Sequence, residues 1–346
     1  MSAAARRGFV TAGTWCLDRN RMIDRWPHED SIGTAWGLEE RGGGSACNFA
    51  IDMRRLDNAM PVATIGLVGD DTAGQSLVAE ADRAGIEHSH MAIEPGATTH
   101  ITDAFVSERS GLRTHITDLG IAAKLSPAHF NIDGLMGKYF HLGLPGVHPA
   151  MDAPWQGEAN GWVSVLHRAR EAGFLTNMEL CSLAPERLRM IVRPCLPLLD
   201  LLIVNDHEIG ALADMATVQD ECTDIGACEQ AVQRVFELGS MALIAVHFPA
   251  GAVGMTRDGA SAFVPSAAIP QAEIVGPNGA GDAFAAGCLY GLHEDWPLPD
   301  ALWMGHAAAS CSLRHAGTTD GVLSWRDCLA AADRWGRRQA SSTMRA

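Results

Sequence analysis

The 346 residues are 47% hydrophobic and carry a formal charge of −15, which supplies apolar material for a large core and argues against nucleic acid or an anionic membrane as partner. Nine cysteines (Cys16, Cys47, Cys181, Cys195, Cys222, Cys228, Cys288, Cys311 and Cys328) are scattered and form no CxxC pair, so they read as small buried hydrophobes in a reducing cytosol. "MSAAARRGFVTAGTWCLDRN" meets polar residues before a signal-type apolar stretch forms, and no later run approaches the ~18 apolar residues of a membrane span, so a soluble cytoplasmic protein is expected.

Along the chain, short apolar runs alternate with amphipathic stretches. "GFVTAG" precedes the helix-like "SACNFAIDMRRLD", and "PVATIGLVG" precedes "TAGQSLVAEADRAG", where Leu77, Ala81 and Ala84 recur at helical spacing. The rhythm continues through "KYFHLG", "GWVSVLHRAREAG", "FLTNMEL", "PLLDLLIVN", "EQAVQRVFELG" and "ALIAVHF". The helical pieces end at glycines, where left-handed C-terminal caps are expected. This pattern predicts an α/β fold with a mostly parallel sheet. Two stretches break it: "DRNRMIDRWPHEDSIGTAWGLEERGGG", and "TTHITDAFVSERSGLRTHITDLG", whose two alternating runs flank the turn "ERSG". They read as a small β-sheet beside the main body or as surface hairpins. The last segment, "GRRQASSTMRA", reads as a frayed tail.

Near the C-terminal end, "AEIVGPNGAGDAFAAGCLYGL" reads as strand, glycine turn and helix. Backbone N–H groups of Gly279, Ala280, Gly281 and Asp282 then lie at a helix N-terminus, where unpaired donors and the helix dipole favour a phosphate. Asp282 reads equally as an ordinary helix cap. A dinucleotide GxGxxG would need glycine where Phe284 stands, and the GxxxxGK[ST] of a P-loop is absent.

Five stretches in order, "GFVTAGTWCLD", "GGSACNFAIDMRRLD", "VATIGLVGDDTAG", "LLIVNDHEIGAL" and "IVGPNGAGDAFAAG", resemble the ribokinase-like (PfkB-type) carbohydrate kinase family over roughly residues 9–322. The resemblance implies a single doubly wound α/β domain over 1–346, its mostly parallel sheet flanked by helices, with residues 19–42 and 97–118 as a β-sheet lid. It implies an ATP- and Mg2+-dependent kinase acting on a hydroxyl of a sugar or sugar derivative. Asp282 matches the general base, with Gly279, Ala280 and Gly281 as the anion hole. Asp18, Gly43, Gly44 and Asn48 match sugar-binding positions. Asn205 and Glu208 of "NDHE" match the NxxE motif, with Glu208 holding Mg2+ through water. Gly251, His306 and Gly317 fall at nucleotide-binding positions, and Glu179 falls where many relatives carry an aspartate facing phosphates or metal.

Three departures stand out. Gly276 and Pro277 replace the Asp-Thr of DTxGAGD, so a monovalent cation such as potassium is not expected to act here. "VHFPAGAVG" keeps Gly251 but lacks the earlier glycine of a TxGxxG-like turn. Cys16 stands where sugar-binding relatives often have asparagine, and Trp15 before it offers bulk and a stacking surface. A nucleoside kinase, a non-catalytic sugar- or nucleotide-binding regulatory protein and a dinucleotide oxidoreductase remain as alternatives. The segment "IGTAWGL" reads as the contact strand of a homodimer through the lid or as a cover over the protein's own pocket.

Overall fold

Phe9–Gly13 (β1) is buried at every position, as a strand covered on both faces must be. In the computed structural model, which describes residues 6–110, 113–220, 222–339 and 344–345, the chain leaves β1 for Cys16–Ile23 (β2) and Ala35–Gly43 (β3), then enters helix Ser45–Leu56 (α1). Val62–Gly69 (β4), Thr72–Ala84 (α2) and Glu87–Glu94 (β5) follow, then Ile101–Ser107 (β6) and Arg113–Asp118 (β7). Tyr139–Gly143 (β8), Pro149–Asp152 (α3), Gly161–Glu171 (α4), Leu175–Met178 (β9) and Pro185–Val192 (α5) complete the first half. The second half runs Leu201–Asn205 (β10), Asp206–Ala213 (α6), Val218–Gln219 (β11), Cys222–Thr223 (β12), Ile225–Leu238 (α7), Leu243–Phe248 (β13), Gly251–Thr256 (β14) and Ser261–Pro265 (β15). Ala280–His293 (α8), Leu298–Ser312 (α9), Trp325–Trp335 (α10) and Met344–Arg345 (β16) close it.

Strands β5-β4-β1-β8-β9 pair in parallel in that order, and β10-β13-β14-β15 continue as a second sheet, parallel at β10/β13 and antiparallel beyond. The two sheets meet where the Asp200 carboxylate accepts from the Thr176 amide at 2.9 Å and the Asp200 amide donates to the Thr176 carbonyl at 3.0 Å. Helices flank the sheet, and Trp162, Phe140 and Leu166 pack one side while Phe9, Phe49, Phe284 and Met304 pack the other. Among the described residues no helix is long and apolar enough to cross a membrane.

The two stretches outside the βα rhythm form a separate four-stranded sheet, β3-β2-β6-β7. The turn "ERSG" between β6 and β7 ends at Gly111, outside the described residues. The chain crosses between core and this sheet after β1, before α1, before β6 and after β7. The crossings touch in pairs. A Cβ on Gly44 would lie 2.6 Å from the Thr14 carbonyl oxygen, and one on Gly120 would lie 2.4 Å from that of Thr98.

Three local expectations are corrected. Residues 272–275 form no strand: after Pro270 the chain makes a short 3-10 turn at Gln271–Glu273, and Val275 is exposed, its amide donating to the Leu313 carbonyl at 2.8 Å. Gly85 is left-handed after α2 and Gly173 has φ +83 after α4, but Gly239 after α7 is extended with φ −145. Its lack of a side chain serves close approach instead, since a Cβ there would meet the Leu196 carbonyl oxygen at 2.6 Å. Part of the tail is also ordered by pairing, Met344–Arg345 lying antiparallel to β12, while 340–343 and 346 fall outside the described residues.

Candidate active site

The head of α8 gathers the glycine turn. Gly279 is its N-cap at φ +67, and a Cβ there would lie 2.0 Å from the Thr318 carbonyl oxygen, so only glycine fits. The Ala280 amide donates to the Pro277 carbonyl at 3.3 Å. Those of Gly279, Gly281 and Asp282 make no hydrogen bond among the described residues, so three donors rather than four are free for an anion. Asp282 does not cap its own helix. Its carboxylate instead accepts from Asn48 Nδ2 on α1 at 2.9 Å, and burial raises its pKa to about 6 against the lowering effect of Asn48.

β2 and β3 bring the sugar-binding candidates to the same place. Asp18 lies against Gly43 so closely that a Cβ on that glycine would sit 2.2 Å from the carboxylate. Cys16 Sγ donates to Asp18 Oδ1 at 3.4 Å. Gly44 then caps α1 with φ +89, and Asn48 follows one turn on. Trp15 offers no stacking surface: it is 1% exposed, and its Nε1 donates to Thr64 Oγ1 at 2.9 Å, so it belongs to the core.

Asn205 and Glu208 form a reciprocal capping box at the start of α6. Asn205 Oδ1 accepts from the Glu208 amide at 2.9 Å, and Glu208 Oε2 accepts from the Asn205 amide at 3.0 Å. Burial, Asp206 and Asp282 leave the Glu208 pKa at about 7, the Asn205 bonds opposing them. Glu179 is pushed well above the carboxylate range by burial and by the Asp282 and Glu208 charges, and its Oε2 is buried without a hydrogen bond. Glu208 and Glu179, both raised by burial and by neighbouring carboxylate charge, stand where a divalent cation would relieve that repulsion. Among the described residues no three ligating side chains are grouped to hold a metal ion. Glu208 and Glu179 are the residues that would hold it.

A cavity of about 830 Å³ opens from this point, with Ala280, Gly281, Phe284 and His306 in its wall. His306 is buried, with Nε2 donating to the Val264 carbonyl at 3.1 Å. Gly251 lies at the β13–β14 hairpin against the Phe263 ring, and Gly317 lies against Asp320; neither is part of the cavity wall. Gly276 has open space around its Cβ position. A larger cavity, about 870 Å³, lies between α1, α2 and β3 and includes none of these candidates.

Sequence reasoning missed several polar groups here. His141 stacks on Phe49 with centroids 4.0 Å apart, pairs through Nδ1 with Asn177 at 3.0 Å, and turns Nε2 to Glu179 Oε2 at 3.6 Å. Burial holds it neutral, with a pKa of about 3. Only its place in an apolar strand, "YFHLG", could have signalled it. Asp52, four residues beyond Asn48, is fully buried with both carboxylate oxygens unpartnered, and burial and Asp282 raise its pKa well above the usual range. A raised folded-state pKa penalises folding as pH rises above the unfolded value. Asp52→Asn is therefore expected to stabilise the fold by about 1–3 kcal/mol at pH 8, less at pH 5, measured by denaturant unfolding at both.

The chain matches the pfkB family carbohydrate kinase pattern across residues 11–325. It is 27% identical over 331 residues to the 5-dehydro-2-deoxygluconokinase of Geobacillus thermodenitrificans, covering 91% of this chain and 89% of that protein. It is 26% identical over 280 residues to the adenosine kinase of Saccharomyces cerevisiae, covering 80% and 78%. Among solved structures, the ribokinase of Arabidopsis thaliana, complexed with ribose and ATP, superposes with a TM-score of 0.74 at 20% identity, covering 94% of this chain and 99% of that one.

Proposed function

Since the chain belongs to the pfkB family of carbohydrate kinases, we propose that it transfers the terminal phosphate of ATP to a hydroxyl of a sugar or sugar derivative, with Asp282 as general base. One observation carries this reading: Asp282 stands between Asn48, on the helix that follows the Asp18/Gly43 strand pair, and Gly281, which opens on the 830 Å³ cavity. The acceptor lies on the first side and the nucleotide on the second.

Asp18, Gly43, Gly44 and Asn48 orient the acceptor, the Asp18 carboxylate accepting from neighbouring hydroxyls. Asp282 takes the proton of the attacking hydroxyl as its oxygen bonds to the terminal phosphorus and the bond to the ADP oxygen breaks. The free amides of Gly279, Gly281 and Asp282 donate to the transferred phosphoryl oxygens. Magnesium, when bound beside Glu208 and Glu179, neutralises charge on the phosphates.

Nucleotide discrimination is assigned to the cavity wall at His306 and acceptor choice to the Asp18 side. The test is an ADP-release screen over sugars, deoxysugar acids and nucleosides with Mg2+ and ATP. Turnover confined to a sugar or sugar acid supports the reading. Turnover confined to nucleosides makes the chain a nucleoside kinase, and binding without turnover on any acceptor makes it a binding protein.

Asn48→Ala removes a hydrogen bond that lowers the Asp282 pKa. The acidic limb of kcat/KM is expected to move to higher pH, with a loss of about tenfold at pH 6, read from pH profiles of both proteins.

A further inference from the structure

His247 stands where the glycine-rich hairpin departs from pattern. It lies on β13 in register with Asn205, at the carboxyl end of the parallel pair β10/β13, where open α/β sheets bind ligands. Its half-buried ring is in the wall of the 830 Å³ cavity, with centroid 4.8 Å from that of Phe284. Its Cε1 is 3.5 Å and its Nε2 3.9 Å from where a Gly281 Cβ would be, so the ring lies beside the head of α8. His306 and His141 each have a hydrogen-bonding partner, whereas the His247 ring makes no hydrogen bond among the described residues.

Among the described residues the cavity wall carries one guanidinium, Arg338, against the carboxylates of Asp206 and Asp220. A nucleotide polyphosphate entering there brings several negative charges to a wall without a net positive one. Resting on the kinase reading above, we propose that His247 is a further phosphate-binding residue and takes up a proton from solvent when the terminal phosphates of the nucleotide bind.

In the free protein, burial holds the His247 pKa near 4, with Asp206 raising it, so the ring arrives neutral. Asp206 on α6 and His306 on α9 act on it electrostatically, His207, Gly281 and Arg338 share the cavity wall with it, and Asp282 follows Gly281 on α8. The Asp206 charge favours a proton on the ring, while burial and the positive end of α8 oppose it. A bound phosphate adds the missing anion, raising the pKa in the complex. Affinity gained through this proton is present at low pH and falls as pH rises through the bound-state pKa.

The test is isothermal titration calorimetry of the full chain with Mg2+ and a β,γ-non-hydrolysable ATP analogue at pH 6.5, in two buffers of different ionisation enthalpy. Wild type is expected to take up about half a proton more per nucleotide than His247→Asn, and the variant to bind about tenfold more weakly. The nucleotide's own protonation is common to both and cancels. AMP should give no difference in proton uptake. Equal uptake by both proteins overturns the proposal alone; no nucleotide binding by wild type overturns the kinase reading and this proposal with it. Should His247→Asn not fold, nitrogen NMR of wild type labelled at histidine decides. One ring pair shifting to the imidazolium range on adding the analogue supports the proposal, and no shift overturns it.

Discussion

Asp282→Asn is expected to lower kcat by about 10³-fold, within the 10²–10⁴ that a positioned general base contributes. Asparagine keeps the size of the side chain and an oxygen to accept from Asn48 Nδ2, so the head of α8 should be undisturbed. What it loses is the capacity to hold a proton. The pH dependence separates this from a structural effect. With its pKa at about 6, Asp282 must be ionised to act, so wild-type kcat/KM should fall with decreasing pH below about 6. The residual activity of the variant should lack that limb. ADP release followed from pH 5 to 8 on the best acceptor reads both quantities, and an undiminished rate or an unchanged limb would remove Asp282 from the chemistry.

The second large effect falls on backbone. Gly279→Ala must place a Cβ 2.0 Å from the Thr318 carbonyl oxygen at φ +67, so the turn has to shift. Displacing the donors of an anion hole costs about 10²–10³-fold in kcat, and left-handed strain costs about 1–3 kcal/mol of stability. Gly276→Ala, three residues earlier, meets nothing within 4 Å and is the control, expected near wild type in rate and melting temperature. If both variants lose the same activity, the turn matters for folding alone and not for holding a phosphate.

Much of the architecture was legible because the parallel sheet demands apolar strands, and "VATIGLVG" and "LLIVN" announce burial on both faces. The misread piece is "AEIV", where three apolar residues around Glu273 suggested a strand; Pro270 starts a turn instead, and Val275 ends at the surface. Without that strand, the strand–turn–helix unit that motivated a dinucleotide oxidoreductase is missing. At the site, GAGD and NxxE were readable because their chemistry is local, a turn and a helix start. Asp52, His141 and His247 were not, because a single polar residue in an apolar run shows its importance only when distant elements close around it. Trp15 erred in the opposite sense: the residue is large enough to cover a ligand, yet Thr64 on the neighbouring strand ties it inward.

The four chain crossings into the β3-β2-β6-β7 sheet meet in two touching pairs, Thr14 with Gly44 and Thr98 with Gly120. Two such points define an axle. Cys16, Asp18 and Gly43 sit next to it, whereas the exposed Trp26 and Ile32 lie far along the arm. Any rotation of this sheet about that line would displace a residue in proportion to its distance from it, so Asp18, next to the line, would move far less than Trp26 or Ile32. Under the proposed function, acceptor orientation at Asp18 and ligand access at the far end of the sheet would then be set by separate residues.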